Sequence, residues 1–140
     1  MNLARRSLVA RMAAWMALAP ALHASTAWAA PPMVEIMAFA HPPVQAALKP
    51  LRDWLASQGG RVRVVEINIE SPAAETRLQA LGLKGHVPIV VLVNGQYRHT
   101  RRDGSSVELI SFPSSKGAPA GMTGRWSIED AQAVIKGLMP

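Results

Sequence analysis

The chain has no cysteine among its 140 residues. That absence removes disulfides, thiol nucleophiles, iron–sulfur clusters and thiolate zinc sites from the chemistry open to it. No Gly-x-Ser-x-Gly segment occurs, so serine hydrolysis has no local motif to stand on. His-x-x-x-His and Met-x-Met spacings are missing as well, which leaves metal binding without a local ligand pattern. There is no internal repeat, and no uninterrupted apolar run approaches the ~20 residues needed to span a bilayer. A small exported domain often compensates for a small core with disulfides; here packing alone must hold the fold.

The N-terminal segment is the first thing that is present. Arg5, Arg6 and Arg11 are basic with no acidic residue near them, an apolar stretch runs from about Met12 to Leu22, and Ala27-Trp28-Ala29 has the small-x-small pattern of a cleavage site. Residues 1–29 therefore read as a secretory signal and residues 30–140 as one mature domain, placing the protein in the periplasm with no membrane span after cleavage. Arg5-Arg6 followed by apolar residues also has a twin-arginine look. Three of the fifteen basic residues leave with the signal and none of the nine acidic ones, so the mature charge is +3 rather than +6. A nucleic-acid partner is not expected from that balance.

The mature chain opens with a short apolar strand, Met33 to Phe39, in which Glu35 is the odd residue. Pro43 to Gln58 has helical spacing, with Val44, Leu48, Leu51 and Leu55 on one stripe and Pro50 inside it. Arg61 to Ile69 alternates as a strand with Val62 and Val64 on its buried side, and slips in register near Val65. Ser71-Pro72 is a helix start, and that helix stops at Gly82. Ile89 to Val93 is an apolar β-branched run, and Asn94-Gly95 signals a hairpin back along Gln96 to Thr100. Asp103-Gly104 turns the chain into a strand from Val107 to Phe112. Pro113 to Arg125 is rich in Pro, Gly and Ser and reads as a surface loop. Ser127 and Asp130 open a last helix as an acidic capping box. The order predicts an α/β fold: βαβ, a β-hairpin and a closing helix, forming a mixed sheet with flanking helices and an extended segment before the last one.

This order resembles the thioredoxin-like superfamily, and one local stretch carries the likeness further. Gly82-Leu83-Lys84-Gly85-His86-Val87-Pro88, followed by the apolar strand and Asn94-Gly95, is similar to the family's segment around its cis-proline, with one additional residue before Pro88. Pro50 matches the family's kinking proline. The resemblance spans Met33 to Leu138 and implies that Pro88 is cis and faces the loop before the first long helix. It also implies a Cys-x-x-Cys at the start of that helix. Here those positions are Pro42 and Gln45, or in the other register His41 and Val44, and neither register holds a thiol. Thiol–disulfide oxidoreductase activity needs a thiolate and a resolving thiol, so the chain is not expected to be an enzyme of that kind or to carry a cofactor.

What the resemblance leaves is a groove. It implies a binding module that grips an extended peptide or partner protein through His41, Pro42, Pro43, Val87 and Pro88, by backbone contacts that need no sulfur. The alternative is a copper or zinc site in which His41 and His86 meet across the same two loops, completed by a methionine or His99. Met33 and Met37 share one strand face and are expected in the core, with Trp54 and Trp126 also packed. Arg98, His99, Arg101 and Arg102 form a basic cluster that either meets an acidic partner or lipid headgroups or serves as a solvated edge.

Overall fold

The computed structural model describes residues 29–140; the segment read as a signal lies outside them up to Trp28. Five strands and three helices follow one another as β1 (Met33–Ala38), α1 (Pro42–Gln58), β2 (Arg63–Asn68), α2 (Pro72–Ala80), β3 (Ile89–Val93), β4 (Arg98–Thr100), β5 (Ser106–Glu108) and α3 (Ile128–Leu138). β1 is the central strand. It pairs in parallel with β2, from Met33 opposite Arg63 to Ala38 opposite Asn68, and antiparallel with β3, from Val34 opposite Val93 to Ala38 opposite Ile89. The fold is therefore mixed α/β, a small mixed sheet with three helices.

Alternation along β1 divides the interior in two. Val34, Ile36 and Ala38 face a cluster that takes Leu48, Leu51 and Leu55 from α1, Ala131 and Ile135 from α3, and Trp126. The opposite face carries Met37 with Val90 and Leu92 of β3 and Ala74 of α2. Successive strand residues point to opposite sides, and β3 is buried on both (Ile89 to Val93 are all under 2% exposed), which is why its sequence is an unbroken apolar run. The stripe read in α1 is the observed one: Val44, Leu48, Leu51 and Leu55 are its buried residues, and Pro50 lies within the helix on the exposed side.

Local signals at the helix ends are met in detail. The Ser71 hydroxyl accepts from the Ala74 amide at 3.3 Å, with Pro72 at the first helical position. Ser127 and Asp130 form a full reciprocal capping box at α3, the Asp130 amide donating to the Ser127 hydroxyl at 3.0 Å and the Ser127 amide to the Asp130 carboxylate at 2.9 Å. Asn94 (φ 50°) and Gly95 (φ 81°) both take positive φ, the requirement of a type I′ turn. The Asn94 side chain also accepts from the Met33 amide at 2.9 Å, so the turn holds the start of β1.

Three expectations are corrected. The hairpin after Asn94-Gly95 closes only one bridge, Val93 with Gln96. The chain then leaves β3, and β4 pairs with β5 instead. The segment after β5 takes the place beside β3: Val91 donates to the Leu109 carbonyl at 2.9 Å and Ser111 to that of Ile89 at 2.8 Å. A neighbour of doubly covered β3 must be apolar, and Leu109-Ile110 fits where Arg98-His99-Thr100 does not. Ser111, at φ 66°, ends that pairing before the Phe112 anticipated as its last residue. Val64 is 41% exposed rather than buried, because β2 is an edge strand and the leucines of α1 pack over β1 and β3. Finally, no cis peptide bond occurs among the described residues, so the bond before Pro88 is trans. Trans is the lower-energy form by about 0.5–1 kcal/mol.

Candidate functional site

β1 ends at Ala38, and the chain turns through Phe39 and Ala40 into His41, the N-cap of α1. Pro42 and Pro43 occupy the first two helical positions, where a missing N–H costs nothing in helix bonding. The same two prolines remove two of the free amides that a helix start normally offers to an anion. His41 makes no side-chain capping bond, and His41, Pro42 and Pro43 are all exposed.

The second loop meets this one at Phe39. The Phe39 amide donates to the Pro88 carbonyl at 3.2 Å, tying the entry of β3 to the exit of β1. The His86 ring stacks on the Phe39 ring with centroids 4.7 Å apart, and the His41 ring lies tilted against it at 5.4 Å. His41, His86 and Pro88 are thus brought together around one half-buried ring. Val87 and Pro88 are half-buried and His86 is exposed.

A polar relay ties α1 to β2 and to the end of β1. Glu66 of β2 accepts two bonds from Arg52 at 2.6 and 2.8 Å, Arg52 donates to the Gln45 side-chain oxygen at 2.8 Å, and the Gln45 amide donates to the Phe39 carbonyl at 2.6 Å. Of the positions that the resemblance assigned to sulfur, Gln45 belongs to this relay and Val44 is buried in the core at 4% exposure. Pro42 and His41 remain at the surface.

Metal chemistry gains little from the arrangement. His41 and His86 share Phe39, but no group of three or more His, Asp or Glu residues is placed to hold an ion among the described residues. His99 is on β4 with its Nε2 2.9 Å from the Gln96 carbonyl, and Met37 is fully buried on the α2 side of the sheet. Neither joins the two histidines.

Three of the remaining charged candidates, Glu35, Arg98 and Arg101, are engaged elsewhere. Glu35, 8% exposed, accepts from Arg77 of α2 at 2.8 Å, so it is the anionic half of an ion pair between sheet and helix. Arg98 donates to Glu108 across the β4–β5 ribbon at 2.8 Å. Arg101 grips Asp130 with two bonds, at 2.7 and 2.9 Å, and also donates to the Arg125 carbonyl at 3.2 Å. The hydrogen bond from the Arg101 guanidinium, with those from Ser127 behind it, holds the Asp130 carboxyl below its ordinary value. Two arginines of the basic cluster are therefore ribbon and helix ties rather than a free cationic patch.

Two features escape a reading of the sequence alone. Phe39 organises the site, although at the end of an apolar strand it looks like one more core residue. The stretch between Phe112 and Trp126 is the other. It runs against the exposed side of α1 and leaves a groove of about 570 Å³ that starts at Pro43 and includes Ala46, Pro50, Phe112 and Met122. Its only advance signal is the apolar content of Pro113, Ala118, Pro119 and Met122 within a segment otherwise small and polar. No helix among the described residues is long and apolar enough to cross a membrane. Compared with family models, with curated proteins and with solved structures, the chain matches none of them.

Proposed function

We propose that this chain is an exported, redox-inactive protein of thioredoxin-like fold whose mature domain binds an extended peptide or a partner protein. The observation that carries the reading is the convergence of the His41–Pro43 and His86–Pro88 loops on Phe39, which makes one exposed surface from two segments distant in sequence. Exposed proline and histidine beside half-buried Val87 and Pro88 offer an apolar contact surface with free imidazole donors and acceptors. Support for the fold comes from the order of elements, from β1 lying between a parallel β2 and an antiparallel β3, and from the antiparallel run of Leu109 to Ser111 beside β3. Support for export comes from the basic n-region, apolar stretch and Ala27-Trp28-Ala29 of the N-terminal segment. The missing thiols exclude disulfide exchange at this surface.

The test is selection of a binding peptide from a random display library, followed by calorimetry on parent and variant chains. Val87→Glu sets a charge in the middle of the surface and is expected to weaken the selected peptide at least tenfold. An unchanged affinity for both Val87→Glu and Pro88→Ala overturns the reading.

A further inference from the structure

The groove between α1 and the stretch from Phe112 to Met122 has a chemistry of its own. None of its lining residues carries a charge, so an ion placed there has no partner to offset its lost hydration. Its volume of about 570 Å³ lies within the ~300–1,000 Å³ typical of ligand pockets. Pro43, Pro50 and Pro119 present flat saturated rings, and Met122 adds a thioether that favours aromatic neighbours.

Polar groups are few, and one is built in by the helix itself. Pro50 lies inside α1 and has no N–H, so the Ala46 carbonyl loses the donor four residues on that would normally satisfy it. Ala46 and Pro50 both line the groove and both are exposed. The carbonyl that lacks its helical donor therefore belongs to a residue lining an uncharged, apolar recess, which Ser114 and Ser115 also line. A purely aliphatic occupant leaves that acceptor unmet, and a charged one is excluded. A neutral aromatic ring with a single N–H or O–H donor meets both conditions, which is the character of tryptophan and tyrosine side chains at interfaces.

We infer that this groove is the specificity pocket of the peptide-binding surface, taking one tryptophan or tyrosine side chain whose donor bonds the Ala46 carbonyl. The inference rests on the peptide-binding reading above, and it extends that surface from Pro43 along α1.

Nitrogen-edited NMR spectra of the full chain, titrated with N-acetyl-tryptophanamide and with its indole-N-methylated analogue, test the pocket directly. Saturable shifts are expected at the amides of Ala46, Ala47, Met122 and Ile128. The methylated probe should bind about fivefold more weakly, the worth of one neutral hydrogen bond. Pro50→Ala returns a donor to the Ala46 carbonyl and should make the two probes equivalent. Ala46→Glu, an exposed helical position that leaves folding intact, should abolish both titrations. No saturable shift at those amides overturns the pocket, as does equal affinity of the two probes for the parent chain. A library-selected peptide weakened by Val87→Glu but not by Ala46→Glu overturns the pocket and leaves peptide binding standing. One weakened by Ala46→Glu alone supports the pocket and overturns the role of the Val87–Pro88 loop.

Discussion

Two irregular regions flank α1, and they are built in opposite ways. The stretch from Phe112 to Trp126 is tied at its base: the Ser114 amide donates to the Trp126 carbonyl at 2.6 Å, and the Trp126 indole donates to the Ser111 carbonyl at 3.1 Å. Trp126 is completely buried. Gly124 lies so close to Phe112 that a Cβ there would sit 1.9 Å from its carbonyl oxygen. The loops carrying His41–Pro43 and His86–Pro88 have a single backbone bond between them and Phe39, and their histidines are at the surface. The region that resembles a linker in composition is the better anchored, and the region with the candidate binding residues is the freer. Irregular backbone is not the same as loose backbone; what differs is how many groups are buried and tied.

That contrast can be broken by mutation. Trp126→Ala removes the largest fully buried side chain and should cost about 3–5 kcal/mol, read from urea unfolding. A loss near zero would show the stretch to be a passive cover. Gly124→Ala forces a methyl against backbone and should cost about 1–3 kcal/mol by the same measurement.

Asp130→Ala severs both the capping box and the tie to Arg101, with an expected loss of about 2 kcal/mol at neutral pH. Its pH dependence has a definite sign. The folded Asp130 carboxyl is held low mainly by the Arg101 guanidinium, so its contribution is complete above the ordinary aspartate value of about 4 and is lost as pH falls through the lowered folded value. Parent and variant should therefore converge in acid, and a gap that stays constant down to the acid limit would assign the loss to packing.

At the small end, His41→Ala and His86→Ala should change stability by no more than about 0.5 kcal/mol, since both side chains are exposed. A larger loss would make the Phe39 stack a structural element and erase the contrast between the two regions.

Much of this was legible beforehand because it is local. The stripe of α1, the serine caps of α2 and α3, the apolar run of β3 and the Asn94-Gly95 turn each follow from a few consecutive residues, and all are met. Failures fall where partners are chosen across distance. Gln96 to Thr100 reads as the return strand of a hairpin, yet Leu109-Ile110 takes the place beside β3 because it is the more apolar. Val64 alternates like a core residue, but alternation cannot say that β2 is an edge. The bond before Pro88 is trans, and a motif match does not fix the isomer.

By itself the sequence determined the helices, their caps, the mixed α/β class and the exclusion of thiol chemistry, since these depend on residue type and short-range spacing. Only the tertiary structure decided that Glu35 pairs with Arg77, that Gln45 serves a relay from Glu66 to Phe39, and that His41 and His86 share one ring. Burial and hydrogen bonding are settled among residues far apart in the chain, and those contacts exist only once the sheet has chosen its neighbours.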